Sequence, residues 1–216
     1  LLPANNAEQA PLVATADPAD RDCVAVVPAD PSSSYDVRAV AADVVDDGWL
    51  LELWPRWAPS LVTALATIDG RPVGVVANQP QQLAGTLTIE SSQKGARFVQ
   101  LCDAFNLPLV TLVDTPGFQP GKDIEWRGMI RHGAQLVHAY AEATVPRVCV
   151  VLRKAYGGAY IVMDSKGLGG DHCLAWPQAE MAVMGAGGAV QILHRRRDPE
   201  LEAEYAAAYC TPRVAA

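Results

Sequence analysis

Short apolar runs alternate along this chain with longer stretches in which apolar residues recur at helical spacing. The runs Leu61–Ile68 and 73–77 are rich in Val, Ala and Thr, and the Asp69-Gly70 pair lies between them. Two such runs joined by Asp-Gly predict a β-hairpin. Further strands are predicted at residues 109–113, 148–152 and 173–176, followed by an apolar element at residues 181–185.

Helices are predicted between the strands. Thr88 is the expected N-cap of a helix that reaches about Phe105, and Pro146 ends a helix predicted over residues 124–144. The remaining predicted helices cover residues 35–47, 160–163, 187–194 and the tail from Pro199. Strands that alternate with helices predict an α/β fold with mostly parallel pairing.

Composition limits the kinds of protein that the chain can be. It has 216 residues and is 50% hydrophobic, which is enough for a large core. A net charge of −7 argues against binding nucleic acid through charge. No apolar run approaches the length of a membrane span, so we expect no membrane insertion.

Five cysteines occur and no two have CxxC spacing, so neither a disulfide framework nor a zinc site is expected. Reduced thiols fit a cytoplasmic protein, and no metal is predicted. Residues 1–22 carry three prolines among small and polar residues, which is linker composition. The chain does not begin with Met, so we expect it to come from a longer protein.

The segment at residues 153–160, with the sequence RKAYGGAY, is the strongest candidate site. It follows a predicted buried strand and precedes a predicted helix. Such a turn places free backbone N–H groups where they can hold a negative charge on an oxygen, and glycine lets a flat ligand approach closely. The alternative is a tight turn that binds no ligand.

Other polar residues give weaker candidates. Asp114 and Glu142 suggest an acid–base pair, but nothing in the pattern brings them together, and structural roles are preferred for both. The four histidines lack metal-ligand spacing. The run from His194 to Arg197 is typical of a phosphate clamp, although cations are also favourable at a helix C-terminus, which is the preferred interpretation.

Several motifs in a fixed order carry a family resemblance. The chain resembles the C-terminal half of the carboxyltransferase (β) subunit of biotin-dependent acyl-CoA carboxylases of the propionyl-CoA and acetyl-CoA type. The motifs are RPVGVVANQP at 71–80, CDAFN at 102–106, VDTPGF at 113–118, IRHGA at 130–134, AYAEATVP at 139–146, RKAYGGAY at 153–160, AWP at 175–177 and AVMG at 182–185.

The resemblance implies a crotonase-like fold of repeated ββα units. Residues 1–22 would be an interdomain linker remnant and residues 23–216 a single carboxyltransferase domain. It also implies transfer of CO2 from N1′-carboxybiotin to the α-carbon of a short-chain acyl-CoA, through enolates held in oxyanion holes. The biotin is expected on a separate carrier subunit that works with a biotin carboxylase. The resemblance implies assembly into a hexamer, and a dimer is the other expected assembly.

Site residues follow from the same resemblance. The backbone N–H groups of Gly158 and Ala159 are expected to hold the ureido oxygen of biotin, and Gly157 is expected beside them. Ile161 is expected at the acyl pocket, where many propionyl-type members have Asp, and the alternative is helix core. Two further positions have open alternatives: the Gly117-Phe118 pair is a wall for biotin or an ordinary loop, and Tyr156 packs on the ureido ring or fills core.

Three other functions remain alternatives. The chain could be a non-catalytic module that builds an interface and docks the carrier. It could belong to a biotin-dependent decarboxylase or a transcarboxylase, which share these motifs. A methylcrotonyl-type carboxylase is disfavoured, because its turn differs from Gly157-Gly158-Ala159.

Overall fold

The computed structural model describes residues 1–15 and 21–215. Residues 1–15 form neither helix nor strand, but they lie against the body of the chain. Val13 N–H donates to the carbonyl of Gly70 at 2.8 Å, and the Asn106 amide donates to the carbonyl of Asn6 at 2.6 Å. Part of the predicted linker, residues 16–20, is outside the described residues, and the boundary at residue 22 stays a prediction.

A mixed β-sheet forms the centre of the described chain. Its strands pair in the order β1 to β6, and β7 pairs with β5 beyond the end of β6. The pairs β1/β2 and β2/β3 are antiparallel, and the other four are parallel, as predicted. The strands are β1 Leu51–Glu52, β2 Leu61–Ile68, β3 Arg71–Asn78, β4 Leu109–Thr115, β5 Arg147–Tyr156, β6 His172–Ala175 and β7 Glu180–Ala182.

The predicted β2–β3 hairpin is confirmed. Asp69 and Gly70 both have positive φ, 50° and 72°, as a two-residue hairpin turn requires. The carboxylate of Asp46 accepts from the N–H groups of Asp69 and Gly70 at 3.0 and 2.9 Å. This side chain satisfies turn donors that would otherwise have no partner inside the protein.

Helices cover both faces of the sheet and bury two apolar clusters. The helices are α1 Val37–Val44, α2 Ile89–Ala104, α3 Lys122–Trp126, α4 Met129–Glu142, α5 Gly157–Val162, α6 Ala186–His194, α7 Pro199–Tyr209 and α8 Pro212–Ala215. One cluster lies between α2, α4 and one face of the sheet, and Phe98, Leu136 and Tyr140 are among its members. The other cluster lies between α1 and the opposite face. None of the described helices is long and apolar enough to cross a membrane.

Two helix predictions are wrong in detail. The single helix predicted over residues 124–144 is two helices, because Gly128 has a φ of 91° and breaks the helical path between α3 and α4. The strand predicted to end at residue 152 continues to Tyr156, so α5 begins at Gly157 instead of Tyr160. The predicted cap is confirmed: Thr88 accepts from Ser91 N–H at 3.0 Å at the start of α2.

Candidate active site

The junction between β5 and α5 is built around one glycine with a positive φ. Gly157 has a φ of 57°, which favours glycine over residues with a Cβ atom. A Cβ at Gly157 would also lie 3.0 Å from the Val183 carbonyl oxygen. Gly158 is different: its φ is not positive, and the nearest atom to a Cβ there is in the Phe118 ring at 3.5 Å. Gly157 therefore provides the positive φ of the turn. Gly158, which has no side chain, leaves its own backbone accessible.

Two adjacent backbone donors lie in the first turn of α5. In a helix of six residues, the first-turn N–H groups have no intrahelical acceptor. Within the described part of the chain, no side chain and no loop carbonyl accepts from the N–H of Gly158 or Ala159. Gly158 is exposed, whereas the Ala159 residue is buried. The two amides are thus adjacent donors at the surface end of a buried element.

Phe118 connects the loop after β4 to two helices. A Cβ at Gly133 of α4 would lie 2.9 Å from the Phe118 ring, and a Cβ at Gly158 of α5 would lie 3.5 Å from it. The loop itself is fixed to the start of the α2 segment, because Leu87 N–H donates to the Gly117 carbonyl at 3.1 Å. The Phe118 ring therefore packs between Gly133 of α4 and Gly158 of α5, at the N-terminus of α5.

Tyr156, the last residue of β5, is 9% exposed. Its hydroxyl donates to the Glu180 carboxylate, and its ring lies against Gly185, where a Cβ would be 3.3 Å away. Burial raises the pKa of the Tyr156 phenol above its ordinary value, and the hydrogen bond to Glu180 adds to this. These contacts account for a packed position beside the turn, and contact with a biotin ring stays a prediction.

Ile161 is on the solvent side of α5. It is 53% exposed, whereas the neighbouring Val162 and Met163 are buried. The helix-core interpretation of Ile161 is therefore wrong for this chain, because the residue is on the exposed face. Its expected place at an acyl pocket stays a prediction.

A buried ion pair between Arg153 and Asp114 joins the ends of β4 and β5 behind the turn. The sequence pattern did not identify Arg153 as the partner of Asp114. Arg153 Nε donates to Asp114 Oδ2 at 3.0 Å, and both side chains are almost fully buried, at 3% and 0% exposure. Arg153 also donates to the carbonyls of Asp30 and Ser33 at 3.0 and 2.8 Å. The preferred structural role of Asp114 fits this pairing, which joins β4, β5 and the loop before α1.

The other polar candidates are found apart from the turn. Glu142 pairs with His138 at 2.9 Å along α4, so Asp114 and Glu142 have separate partners. The basic run begins where α6 ends, with Arg195 in the left-handed region as the C-cap. This placement agrees with the preferred interpretation of the run as a helix end.

Of four cavities on the described residues, none is lined by Gly158 or Ala159. A cavity of about 540 Å³ opens nearby, with Tyr160 of α5 and Met181 of β7 in its wall. At this turn the exposed Gly158 is therefore at the surface of this chain, and Ala159 is buried beside it. A ligand held there would need further walls from another chain or segment.

The mixed sheet with helices on both faces and a glycine turn at the end of β5 defines a crotonase-like α/β domain. Comparison with known proteins gives the same class. The chain belongs to the carboxyl transferase domain family, which matches residues 1–210.

Individual relatives agree with the family. The chain is 50% identical to the propionyl-CoA carboxylase beta chain of Saccharopolyspora erythraea, across all of this chain and 44% of the relative. It is 46% identical to the methylmalonyl-CoA decarboxylase subunit alpha of Veillonella parvula, across all of this chain and 43% of the relative. A solved transcarboxylase 12S hexamer with methylmalonyl-coenzyme A and methylmalonic acid bound matches with a TM-score of 0.93 and 50% identity, across 99% of this chain and 43% of that one. The chain thus spans less than half the length of these relatives.

Proposed function

We propose that this chain supplies the carboxybiotin-binding half of an acyl-CoA carboxyltransferase. Carboxybiotin, when bound, supplies the carboxyl group that is transferred to the α-carbon of a short-chain acyl-CoA, such as acetyl-CoA or propionyl-CoA. The observation that carries the proposal is the pair of first-turn amides at Gly158 and Ala159, from which no side chain or loop carbonyl of the described residues accepts. Family membership across residues 1–210 supports the assignment.

In this proposal the two amides hold the negative charge that develops on the ureido oxygen. Fixed N–H donors lower the barrier because they need no reorganisation when the charge appears, and losing one such donor typically costs about 10²–10³ in rate. The exposed Gly158 backbone, with no Cβ, fits a flat ring that must come within hydrogen-bonding distance. Gly157 would lie beside the ring, and Phe118, with Gly117, would form the wall under it.

A side-chain base is not assigned. Asp114 is buried against Arg153, and Glu142 pairs with His138 on an exposed face of α4. Neither carboxylate shares a partner with Gly158 or Ala159. This chain's part in the chemistry is therefore binding, orientation and charge stabilisation at the biotin side.

The surface position of the amides implies partners. We propose that a second carboxyltransferase half completes the acyl-CoA side and that a biotin carboxyl carrier, loaded by a biotin carboxylase, delivers the ring. A homo-oligomer, either a dimer or a hexamer, would bring two halves together, and the matched transcarboxylase 12S is described as a hexamer. The cytoplasmic location predicted from the free thiols belongs to the same proposal.

A second direction of carboxyl transfer is a specific alternative. The identity to a methylmalonyl-CoA decarboxylase subunit, 46%, is close to the 50% identity to a propionyl-CoA carboxylase chain. Both reactions would use the same amides, because the ureido oxygen gains charge when the carboxyl group leaves and loses it when the carboxyl group returns. Assays should therefore measure transfer in both directions.

The test is Gly158→Ala in a complete carboxyltransferase that contains this chain. The new methyl has ordinary contact with Phe118 at 3.5 Å, so folding should be unchanged. It should hold a bound ring away from the backbone, and a displacement of about 1 Å can cost about 10²-fold in rate. We expect carboxybiotin turnover to fall by about that factor, while the KM for acyl-CoA stays the same.

Gly167→Ala is the matched control, because a Cβ at Gly167 has no atom within 4 Å and the residue's φ is not positive. Equal activity of the two variants would remove the biotin-side assignment. A loss confined to the KM for acyl-CoA would place the turn at the other substrate. A wild-type protein that binds its carrier but transfers no carboxyl group in either direction would favour the docking-module alternative.

A further inference from the structure

Two cysteines are direct neighbours on adjacent strands near the α5 helix. Cys149 of β5 and Cys173 of β6 are register partners in the parallel pair of strands. Paired residues on parallel strands have side chains on the same face, and their Cα atoms are about 4.8 Å apart. A disulfide requires a Cα–Cα distance of about 4.4–6.8 Å. The backbone therefore places these two thiols within the range that a disulfide needs.

The two thiols differ in their surroundings. Cys149 is 1% exposed, and its sulfur is 3.7 Å from the carbonyl oxygen of Met163. Cys173 is only half-buried and lines the cavity of about 540 Å³. Its sulfur is 3.7 Å from the Tyr160 hydroxyl. A reagent that enters this cavity meets Cys173, whose partner on the adjacent strand is the buried Cys149.

The same contacts separate the acidities of the pair. The neighbouring Cys149 thiol, with smaller contributions from Tyr160 and the Lys166 backbone, lowers the pKa of Cys173 below its ordinary value. The neighbouring Cys173 sulfur and burial raise the pKa of Cys149. Cys173 is thus the member of the pair that carries thiolate character, which is the nucleophilic form.

We propose that Cys173 and Cys149 form a redox-active dithiol in which Cys173 is the thiol oxidised first and Cys149 resolves it. The oxidant is a hydroperoxide that reaches Cys173 through the cavity. This proposal does not depend on carboxyl transfer.

The chemistry takes two steps. The Cys173 thiolate attacks the hydroperoxide, a sulfur–oxygen bond forms as the oxygen–oxygen bond breaks, and the alkoxide or hydroxide leaves and takes a proton. The Cys149 thiol then attacks the sulfur of the Cys173 sulfenic acid. The sulfur–sulfur bond forms, the sulfur–oxygen bond breaks, and the hydroxyl leaves as water with the Cys149 proton. Two electrons pass from the two sulfurs to the peroxide.

The test treats the reduced protein that contains this chain with hydrogen peroxide and maps its peptides by mass spectrometry without reduction. We expect a Cys149–Cys173 cross-linked peptide that has lost two hydrogen atoms and that dithiothreitol reverses. In Cys149→Ala, a dimedone adduct should accumulate at Cys173. Cys102→Ser is the control, because Cys102 is buried on α2 and should not affect the cross-link.

A second measurement applies to the unmodified chain. Iodoacetamide should label Cys173 at least about tenfold faster than Cys23 at neutral pH, because each unit of pKa changes the thiolate fraction about tenfold. Burial raises the pKa of Cys23, although this thiol is also partly exposed. Faster labelling of Cys23, or peroxide treatment that leaves Cys149 and Cys173 without a cross-link, would overturn the proposal.

Discussion

Replacing Arg153 by Met should lower the free energy of unfolding by about 3–5 kcal/mol. The substitution keeps an apolar stem of similar length but removes the guanidinium. Asp114 would then be a carboxylate with 0% side-chain exposure that has lost its ion-pair partner, with the Lys154 N–H at 3.2 Å still donating to it. The carbonyls of Asp30 and Ser33 would lose their donor as well.

The magnitude follows from burial. Breaking a buried pair leaves one uncompensated charge, which costs several times more than losing an exposed pair. For a chain of this size, each kcal/mol lowers the melting temperature by about 2–4 °C, so the expected loss is on the order of 10 °C. Urea unfolding followed by circular dichroism gives the free energy, and a thermal scan gives the temperature.

Arg127→Met is the matched control. Arg127 pairs with Glu90 at 3.0 Å, as closely as Arg153 pairs with Asp114, but the two side chains are 59% and 43% exposed. Its loss should cost about 0–1 kcal/mol. A second change, Asp114→Asn in the Arg153→Met background, should recover part of the stability because it removes the unpaired charge. Equal effects of Arg153→Met and Arg127→Met, or a further loss on adding Asp114→Asn, would refute the reasoning.

Three further predictions use other features of the described chain. Gly157→Ala should destabilise the protein by about 1–2 kcal/mol in urea unfolding, because a left-handed φ is costly for alanine, whereas Gly158→Ala should be neutral. Burial lowers the pKa of Lys94 to about 8, below the unfolded value of about 10.4, so the unfolded chain holds more protons between these values. The urea midpoint should therefore gain from a rise from pH 8 to pH 10, and Lys94→Met should abolish that gain; an equal gain in Lys94→Met would disprove it. Ile161→Asp should change the ratio of acetyl-, propionyl- and butyryl-CoA turnover in the complete enzyme, and unchanged ratios would end the acyl-pocket assignment.

Local signals predicted most of the secondary structure. The Asp69-Gly70 turn, the Thr88 cap and the helical tail from Pro199 each depend on residues close together in sequence, and all are present in the structure. Of the two errors, the helix break is local, at Gly128, and the other occurred where a distant partner decides the outcome. β5 continues through Arg153 because the Arg153 guanidinium forms an ion pair with Asp114 and because β7 pairs with residues 154–156. Neither partner is near β5 in sequence.

The site residues divide along the same line. The sequence pattern located the turn, since a strand followed by two glycines is a local feature. It could not show that Phe118 fills the space between Gly133 and Gly158, because those three residues come from separate elements. It also could not find the Cys149–Cys173 pair, which exists only through the register of β5 and β6. Pairing between strands is a long-range property that residue types do not encode individually.

The position of the Gly158 and Ala159 amides is a consequence of where the sheet ends. β7 stops at Ala182, which is in register with Tyr156, so no strand of the described sheet continues alongside the next residues. Gly157 then turns the chain through a positive φ, and α5 starts with its first N–H groups beyond the last strand pairing. No side chain or loop carbonyl of the described residues accepts from the Gly158 and Ala159 N–H groups there. The proposed oxyanion site therefore depends on a positively polarised helix start at the end of the sheet, where Gly158 adds no side chain.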